Sequence, residues 1–207
     1  MSTMPLTPKR HALGLPAGSV RAMHTLLIVG LFCAMLLVNT KALLPIPPYL
    51  IYLLFMVLGH YFAHRSGAVT DSGYHPLYLP RGFVRFVVTV ALIATIGWCL
   101  YNNPDKLQEQ FEKSVDQLKL EPYLPLCILG AFFLGVLVRA VVGREDPPYF
   151  LQDMEAWLSL ISIVGLGIAV IIHMVITPSL ENPIAASMPL WEAVLASVIA
   201  FYFGERS

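Results

Sequence analysis

The sequence has little charge for its size. Only 13% of its 207 residues are Asp, Glu, Lys or Arg, about half of the ~25% typical of soluble domains. Hydrophobic residues make up 57% of the chain, and the mean hydropathy is +0.70. A soluble fold of this length could not bury that much apolar surface. The composition therefore excludes an ordinary soluble enzyme and a disordered chain, and it indicates an integral membrane protein with several spans.

The chain also lacks a net charge, because 13 basic residues balance 13 acidic ones. Without an excess of positive charge, it has no general attraction for a phosphate backbone, and we predict no nucleic-acid partner. Cysteine is scarce as well. Cys33, Cys99 and Cys127 lie in apolar segments, which excludes a disulfide framework or a thiolate metal cluster. Cys99 and Cys127 fall at similar predicted depth, so a single disulfide between them stays open.

Six apolar segments approach the ~20 residues that a spanning helix needs. They cover residues 22–38, 48–63, 83–101, 123–142, 155–176 and 188–203, and prolines or polar runs separate them. Residues 1–21 form an N-terminal segment, and 22–207 are predicted to be one transmembrane domain. The predicted fold class is an all-α integral membrane protein.

An amphipathic segment at 105–120 separates the third and fourth spans. Leu107, Phe111, Val115 and Leu118 recur at helical spacing, with polar residues on the other face. The pattern predicts a helix that lies on the outer membrane surface, against another protein, or over its own bundle.

Basic residues predict the orientation of the spans. Nine of them flank the ends that would face the cytoplasm if both termini do, and four lie on the other side. Since loops rich in Lys and Arg stay in the cytoplasm, we predict that both termini are cytoplasmic, in agreement with an even number of spans. An uncleaved first span is the expected form of the N-terminal region.

A short pattern recurs at the start of two spans. Leu-Pro-x-Gly-x-Val-Arg occupies 15–21 and again 79–85, and Tyr-Phe-x-x-Arg-Ser occupies 61–66 and 202–207. The recurrence predicts three helical hairpins, made of spans one and two, three and four, and five and six. Arginine at a span end extends to lipid phosphate. The predicted interface anchors are Arg21, Arg85, Arg139 and Arg206.

The segments Gly14–Ala22 and Phe201–Ser207 resemble the opening and the ending of a group of uncharacterised bacterial inner-membrane proteins. The resemblance implies a location in the bacterial inner (cytoplasmic) membrane and implies no activity. This chain departs from the pattern at Glu205, where those proteins have Ser.

Histidines provide the candidate ligands for a metal or cofactor. His60 and His64 are four residues apart and share a helix face, which suits a metal. His24 lies at a similar predicted depth, so a haem between His24 and His60 is the specific form of this hypothesis. No third ligand follows at a fixed spacing. Interfacial histidines bonded to lipid or loop groups are therefore the simpler interpretation, and no cofactor is expected.

The middle of the predicted membrane region contains no ionisable side chain other than Cys33. A proton-coupled pump or a voltage sensor would need a carboxylate, histidine or arginine series there, so the sequence does not favour either. In the sixth span, Ala196, Ala200 and Gly204 recur at a spacing of four and would let another helix approach closely. That helix belongs either to this chain or to another subunit.

These observations favour a protein that is not an enzyme. The first hypothesis is an assembly, scaffold or accessory subunit of a larger membrane complex or homo-oligomer. The alternative is a channel, holin-like protein or transporter with its pore between subunits. A second alternative is a haem-binding or metal-binding membrane protein. The expected partners are membrane lipids and other membrane subunits.

Overall fold

The structure, a computed structural model, describes residues 15, 18–38, 45–63, 77, 82–120, 123–142, 149–175 and 189–205. The described residues form helices and no strand, so the predicted all-α class is confirmed. The helices are α1 (Ser19–Val38), α2 (Pro48–Ala63), α3 (Phe83–Asn102), α4 (Pro104–Leu120), α5 (Tyr123–Val142), α6 (Tyr149–Val175) and α7 (Pro189–Glu205).

Four of the described helices are long and apolar enough to cross a membrane. They are α1, α3, the Tyr123–Ala140 part of α5 and the Asp153–Val175 part of α6. This finding supports a membrane protein. The helices α2 and α7 are shorter, with 16 and 17 residues. Helix α6 begins at Tyr149, earlier than the predicted span, because its first turns are helical but are not part of the apolar run.

The helices α1 and α3 begin with the same backbone geometry. Gly18 has φ 82° and Gly82 has φ 84°, a left-handed conformation that favours glycine. Each glycine carbonyl accepts a bond from the amide four residues later, at 2.9 and 3.0 Å. The hydroxyls of Thr25 and Thr89 each donate to the carbonyl four residues earlier, at 2.8 and 2.9 Å. The recurring sequence pattern therefore has matching local structure in both places.

The helix α1 packs against α2, α3 and α6. Its contact with α3 is parallel, because the Cys33 thiol donates to the Ala91 carbonyl and the Cys99 thiol donates to the Leu36 carbonyl, at 3.9 and 3.8 Å. Cys33, Cys99 and Cys127 are free thiols. The disulfide left open by the sequence is not formed here.

The most extensive helix contact joins α5 to α7. A Cβ atom added to Gly204 would overlap the Phe132 carbonyl, and one added to Gly135 would overlap the Phe201 carbonyl. The two backbones therefore touch, and only glycine at these positions permits the approach.

This α5–α7 contact is parallel. Gly135 lies against Phe201, and one turn later along both helices the Arg139 guanidinium donates to the Glu205 carbonyl at 2.9 Å. The helix α6 contacts α7 as well, since a Cβ on Gly165 would lie 3.0 Å from the Leu195 side chain.

The helices α3 and α5 lie at the periphery of the bundle. Within the described residues they share no extensive contact, since α3 packs on α1 and α4 whereas α5 packs on α7 and α2. The sequence predicted that spans three and four pair as a hairpin. The structure instead places each of them against a helix that is not its neighbour among the spans.

The glycine contact generates a stability prediction. Gly135→Ala and Gly204→Ala each insert a methyl group into backbone, and we expect each to destabilise the fold by about 1–3 kcal/mol. Gly130→Ala, at an exposed position of α5, is the control. Its added Cβ meets nothing within 4 Å, and alanine favours helix over glycine. Thermal unfolding in detergent, followed by tryptophan fluorescence, measures the difference. Equal midpoints for all three variants would contradict the packing.

Candidate functional site

Polar and aromatic side chains gather at one end of the bundle, here called the Arg21 end. The helix α1 begins there, so its first two turns carry Arg21 and His24. The helices α2 and α7 both finish there, which brings His60 and the pair Tyr202 and Phe203 to the same level. These five residues are named the histidine cluster.

His24 is completely buried within this cluster. Its Nδ1 lies 2.8 Å from the Val20 carbonyl oxygen, and its Nε2 lies 3.0 Å from the carbonyl oxygen of Ser159 on α6. Each carbonyl can only accept, so a ring nitrogen that bonds to it must carry a hydrogen. A neutral ring has one N–H and donates to one of the two carbonyls, and in the Nε2–H form it ties α1 to α6.

The Phe203 ring fills the space between the two histidines. It is fully buried, and it meets His24 and His60 edge to face, with ring centroids 6.1 and 5.3 Å apart. The other side chain of the pair, Tyr202, stacks on His24 at 5.7 Å with an interplanar angle of 25°. Aromatic contacts of this kind each add about 0.5–1.5 kcal/mol beyond the buried area.

His60 is held from the opposite side by Arg21. The guanidinium Nη1 lies 3.2 Å from Nε2 of His60. Because a guanidinium can only donate, Nε2 is the acceptor in this bond and its lone pair is engaged. The bond joins the first turn of α1 to the last turns of α2.

This geometry gives the haem hypothesis no support. Ligation between His24 and His60 needs a lone pair directed at iron from each ring, but the His24 nitrogens face carbonyls and Nε2 of His60 faces Arg21. The described residues contain no group of three or more potential metal ligands. His64 lies outside the described residues, so the structure does not describe the predicted His60–His64 pair.

The predicted arginine anchors are placed differently from one another. Arg21 bonds to the cluster, and Arg139 is exposed and bonds to the end of α7. Arg85 is half-buried in the first turn of α3. Arg206 lies outside the described residues.

The small residues of α7 face the interior of this chain. Ala196 and Ala200 are fully buried, and Gly204 is buried against α5. Sequence reasoning missed their counterpart Gly135. The available signal was Ala131 and Gly135, two small residues that stand four residues apart, as those of α7 do.

At the opposite end, here called the Ser114 end, α4 covers the bundle with a partly polar face. Among residues 104–116 of this helix, Leu107, Gln110 and Ser114 are buried. The Ser114 hydroxyl accepts from the Ile46 amide at 2.9 Å and donates to the Gln110 carbonyl at 2.7 Å. This contact leaves 39% of Phe111 and 50% of Val115 exposed, although both belong to the apolar stripe of the helix.

Four described hydroxyl groups along the candidate spans donate within their own helices. Thr25, Thr89 and Ser162 each donate to the carbonyl four residues earlier, and Ser159 donates to the carbonyl three residues earlier. These donors therefore satisfy their own helices and do not form a polar chain between helices.

A comparison of the chain with known protein families, curated proteins and solved structures finds no match.

The position of Phe203 generates a second prediction. Phe203→Ala would empty the space between His24 and His60, and we expect a loss of about 3–5 kcal/mol of stability. Phe133→Ala on α5 is the matched control, because 64% of that side chain is exposed. Chemical unfolding of both variants in the same detergent makes the comparison. A Phe203 variant as stable as the Phe133 variant would show that the ring does not hold the cluster together.

Proposed function

We propose that this chain is a non-enzymatic assembly or accessory subunit of a larger membrane complex or homo-oligomer. The observation that carries the proposal is the arrangement of α4. Ser114 fixes this helix to the start of α2, and the fixed helix presents Phe111 and Val115 outward. Apolar side chains displayed on a helix whose other face is already docked are typical of an interaction surface.

We further propose six spans in alternating directions. The arginine, histidine and serine side chains that bond beyond their own helices support this, because their contacts lie in two groups. Arg21–His60 and Arg139–Glu205 lie at one end, whereas Ile46–Ser114 and the bond from His173 to the Pro45 carbonyl at 3.1 Å lie at the other. Six alternating spans also require that α1 is parallel to α3 and that α5 is parallel to α7. The contacts of both pairs agree with this.

The two shorter helices fit this proposal with a small mismatch. At about 1.5 Å per residue, α2 and α7 are about 24 and 26 Å long, against a hydrocarbon thickness of ~30 Å. Local thinning of the bilayer and extension of flanking side chains accommodate such a difference.

The proposed orientation places the Arg21 end and both termini at the cytoplasmic side of a bacterial inner membrane. The excess of Lys and Arg on that side supports the orientation, and the resemblance of the two end segments supports the bacterial membrane. The matching geometry at Gly18 and Gly82 supports a repeat that relates the first two odd-numbered spans. The assignment of spans five and six to a third hairpin rests on the sequence alone.

Transport is the less favoured function. Charged pathways through membranes use ionisable groups near the middle, and the hydroxyls of Thr25, Thr89 and Ser162 donate to their own backbones. A pore between subunits is the form of transport that would still agree with these contacts.

Native mass spectrometry of the chain, extracted gently from its own membrane, tests the proposed function. We expect a defined assembly with more than one protein subunit, since the proposal requires a partner. A strictly monomeric chain under conditions that preserve other complexes would contradict it. Ion flux in liposomes made with the purified chain separates the alternative, because a pore protein conducts and an accessory subunit does not.

A variant pair locates the interaction on α4. Phe111→Asn combined with Val115→Asn is expected to release the partner or dissociate the oligomer, because it removes the exposed apolar side chains. Glu112→Asn is the control, since this exposed residue bonds only along its own helix, where Gln108 donates to it at 3.0 Å. Equal retention of the partner by both variants would exclude α4 as the interface.

A further inference from the structure

A cavity of about 40 Å³ lies at the Ser114 end, in the corner between α1, α3 and α4. Its lining residues are Leu36, Leu37, Trp98, Cys99, Asn102, Asn103, Lys106, Leu107 and Gln110. The volume exceeds the ~10–15 Å³ that one water molecule requires by this measure. The cavity can therefore accept a group larger than a single water.

The corner that shapes this cavity is held by backbone hydrogen bonds. Asn103 is the single residue between α3 and α4. Its amide donates to the Cys99 carbonyl at 2.9 Å, and its own carbonyl accepts from the Leu107 amide at 3.2 Å. Pro104 follows in the first helical position, where proline is favoured. The backbone thus fixes where Lys106 stands relative to the end of α3.

The lining divides into an apolar part and a polar part. The leucines of α1, Leu36 and Leu37, provide apolar wall, whereas Asn102 and Lys106 provide amide and ammonium groups. The Asn102 side-chain amide donates to the Trp98 carbonyl at 2.9 Å, which orients it. Among the described residues that line the cavity, Lys106 carries the only formal charge. The lining therefore combines one ammonium group with apolar wall, which suits an anion attached to an apolar body.

The position of the cavity relative to the membrane indicates which anion it would bind. The helix α3 is a candidate span that ends at Asn102, so the cavity lies where a span leaves the hydrocarbon and lipid phosphates begin. Trp98 is 62% exposed and Leu37 is 43% exposed beside it. Exposed tryptophan at a span end is typical of the interfacial belt, and both side chains would contact acyl chains.

We propose that this cavity binds the headgroup phosphate of an anionic membrane phospholipid, with its acyl chains along the surface formed by Trp98 and Leu37. Lys106 supplies the positive charge, and Asn102 supplies a neutral hydrogen-bonding group at its rim. The inference rests on α3 crossing the membrane and is independent of the subunit role proposed above.

The experiment uses the full-length chain, purified in detergent and stripped of lipid. It is titrated in mixed micelles with phosphatidylglycerol, which is anionic, or with phosphatidylcholine, which has no net charge, and native mass spectrometry counts the lipid retained. We expect phosphatidylglycerol to be preferred, and Lys106→Gln to weaken its binding by about fivefold, the effect of one interfacial lysine. Lys106→Arg should restore the preference.

Lys113→Gln is the matched control. It makes the same change of net charge on the same helix, but Lys113 does not line the cavity. Each variant is first shown to be monodisperse with unchanged helix content.

Three results would overturn the proposal. Equal loss of lipid in the Lys106 and Lys113 variants would show a general charge effect. No preference between the two lipids in the wild-type chain would show that the cavity does not select an anionic headgroup. Release of the bound lipid by millimolar inorganic phosphate, with phosphate retained in its place, would assign the cavity to a soluble anion instead of a lipid.

Discussion

The close approach of α5 and α7 is the constraint on which the rest of the bundle depends. Gly135 and Gly204 let two backbones touch, and this contact sets the height and rotation of α7 relative to α5. The residue before Gly204 is Phe203, so the same contact determines where that ring points. Its fully buried position between His24 and His60 follows from the placement of α7. Such contacts are important in a lipid environment. Apolar helices gain little free energy when they move from lipid to a helix interface, so their association relies on close packing.

The arginine, histidine and serine side chains that bond beyond their own helices do so at the two ends of the bundle. At the Arg21 end, side chains of Arg21, His24 and Arg139 bond across helices. At the Ser114 end, His173 and Ser114 meet the backbone that leads into α2. Between the ends, the thiols of Cys33 and Cys99 make the weak contacts that cross from α1 to α3. This distribution agrees with the high cost of unsatisfied polar groups in hydrocarbon, and it makes the bundle rigid at its ends.

Hydropathy and proline positions predicted the helices well, because helix formation depends on local sequence. Even the start of α3 at Phe83 follows from Gly82, which occupies the N-cap position with a positive φ. The choice of packing partners did not follow from the sequence. Spans that are adjacent along the chain were expected to pair, but α5 packs on α7 because Gly135 and Gly204 are complementary. The spacing of small residues marks a helix face for close packing, but it does not identify the helix that packs there. The sequence left the orientation of α4 open for a related reason. The Ile46 amide requires an acceptor, and Ser114 provides it, so hydrogen bonding outweighed the apolar stripe.

The central claim is that α5 and α7 lie side by side in the same direction, and spin-label distances test it most directly. Leu126 and Leu190 are exposed near the starts of α5 and α7, and Leu137 is exposed near the end of α5. Double electron–electron resonance should therefore give a shorter distance for the pair 126 and 190 than for the pair 137 and 190. At ~1.5 Å per residue, Leu126 and Leu137 are about 16 Å apart along α5. The two label pairs should therefore give clearly different distances. A longer distance for 126 and 190 would mean that the helices are antiparallel, and the account of the bundle would fail.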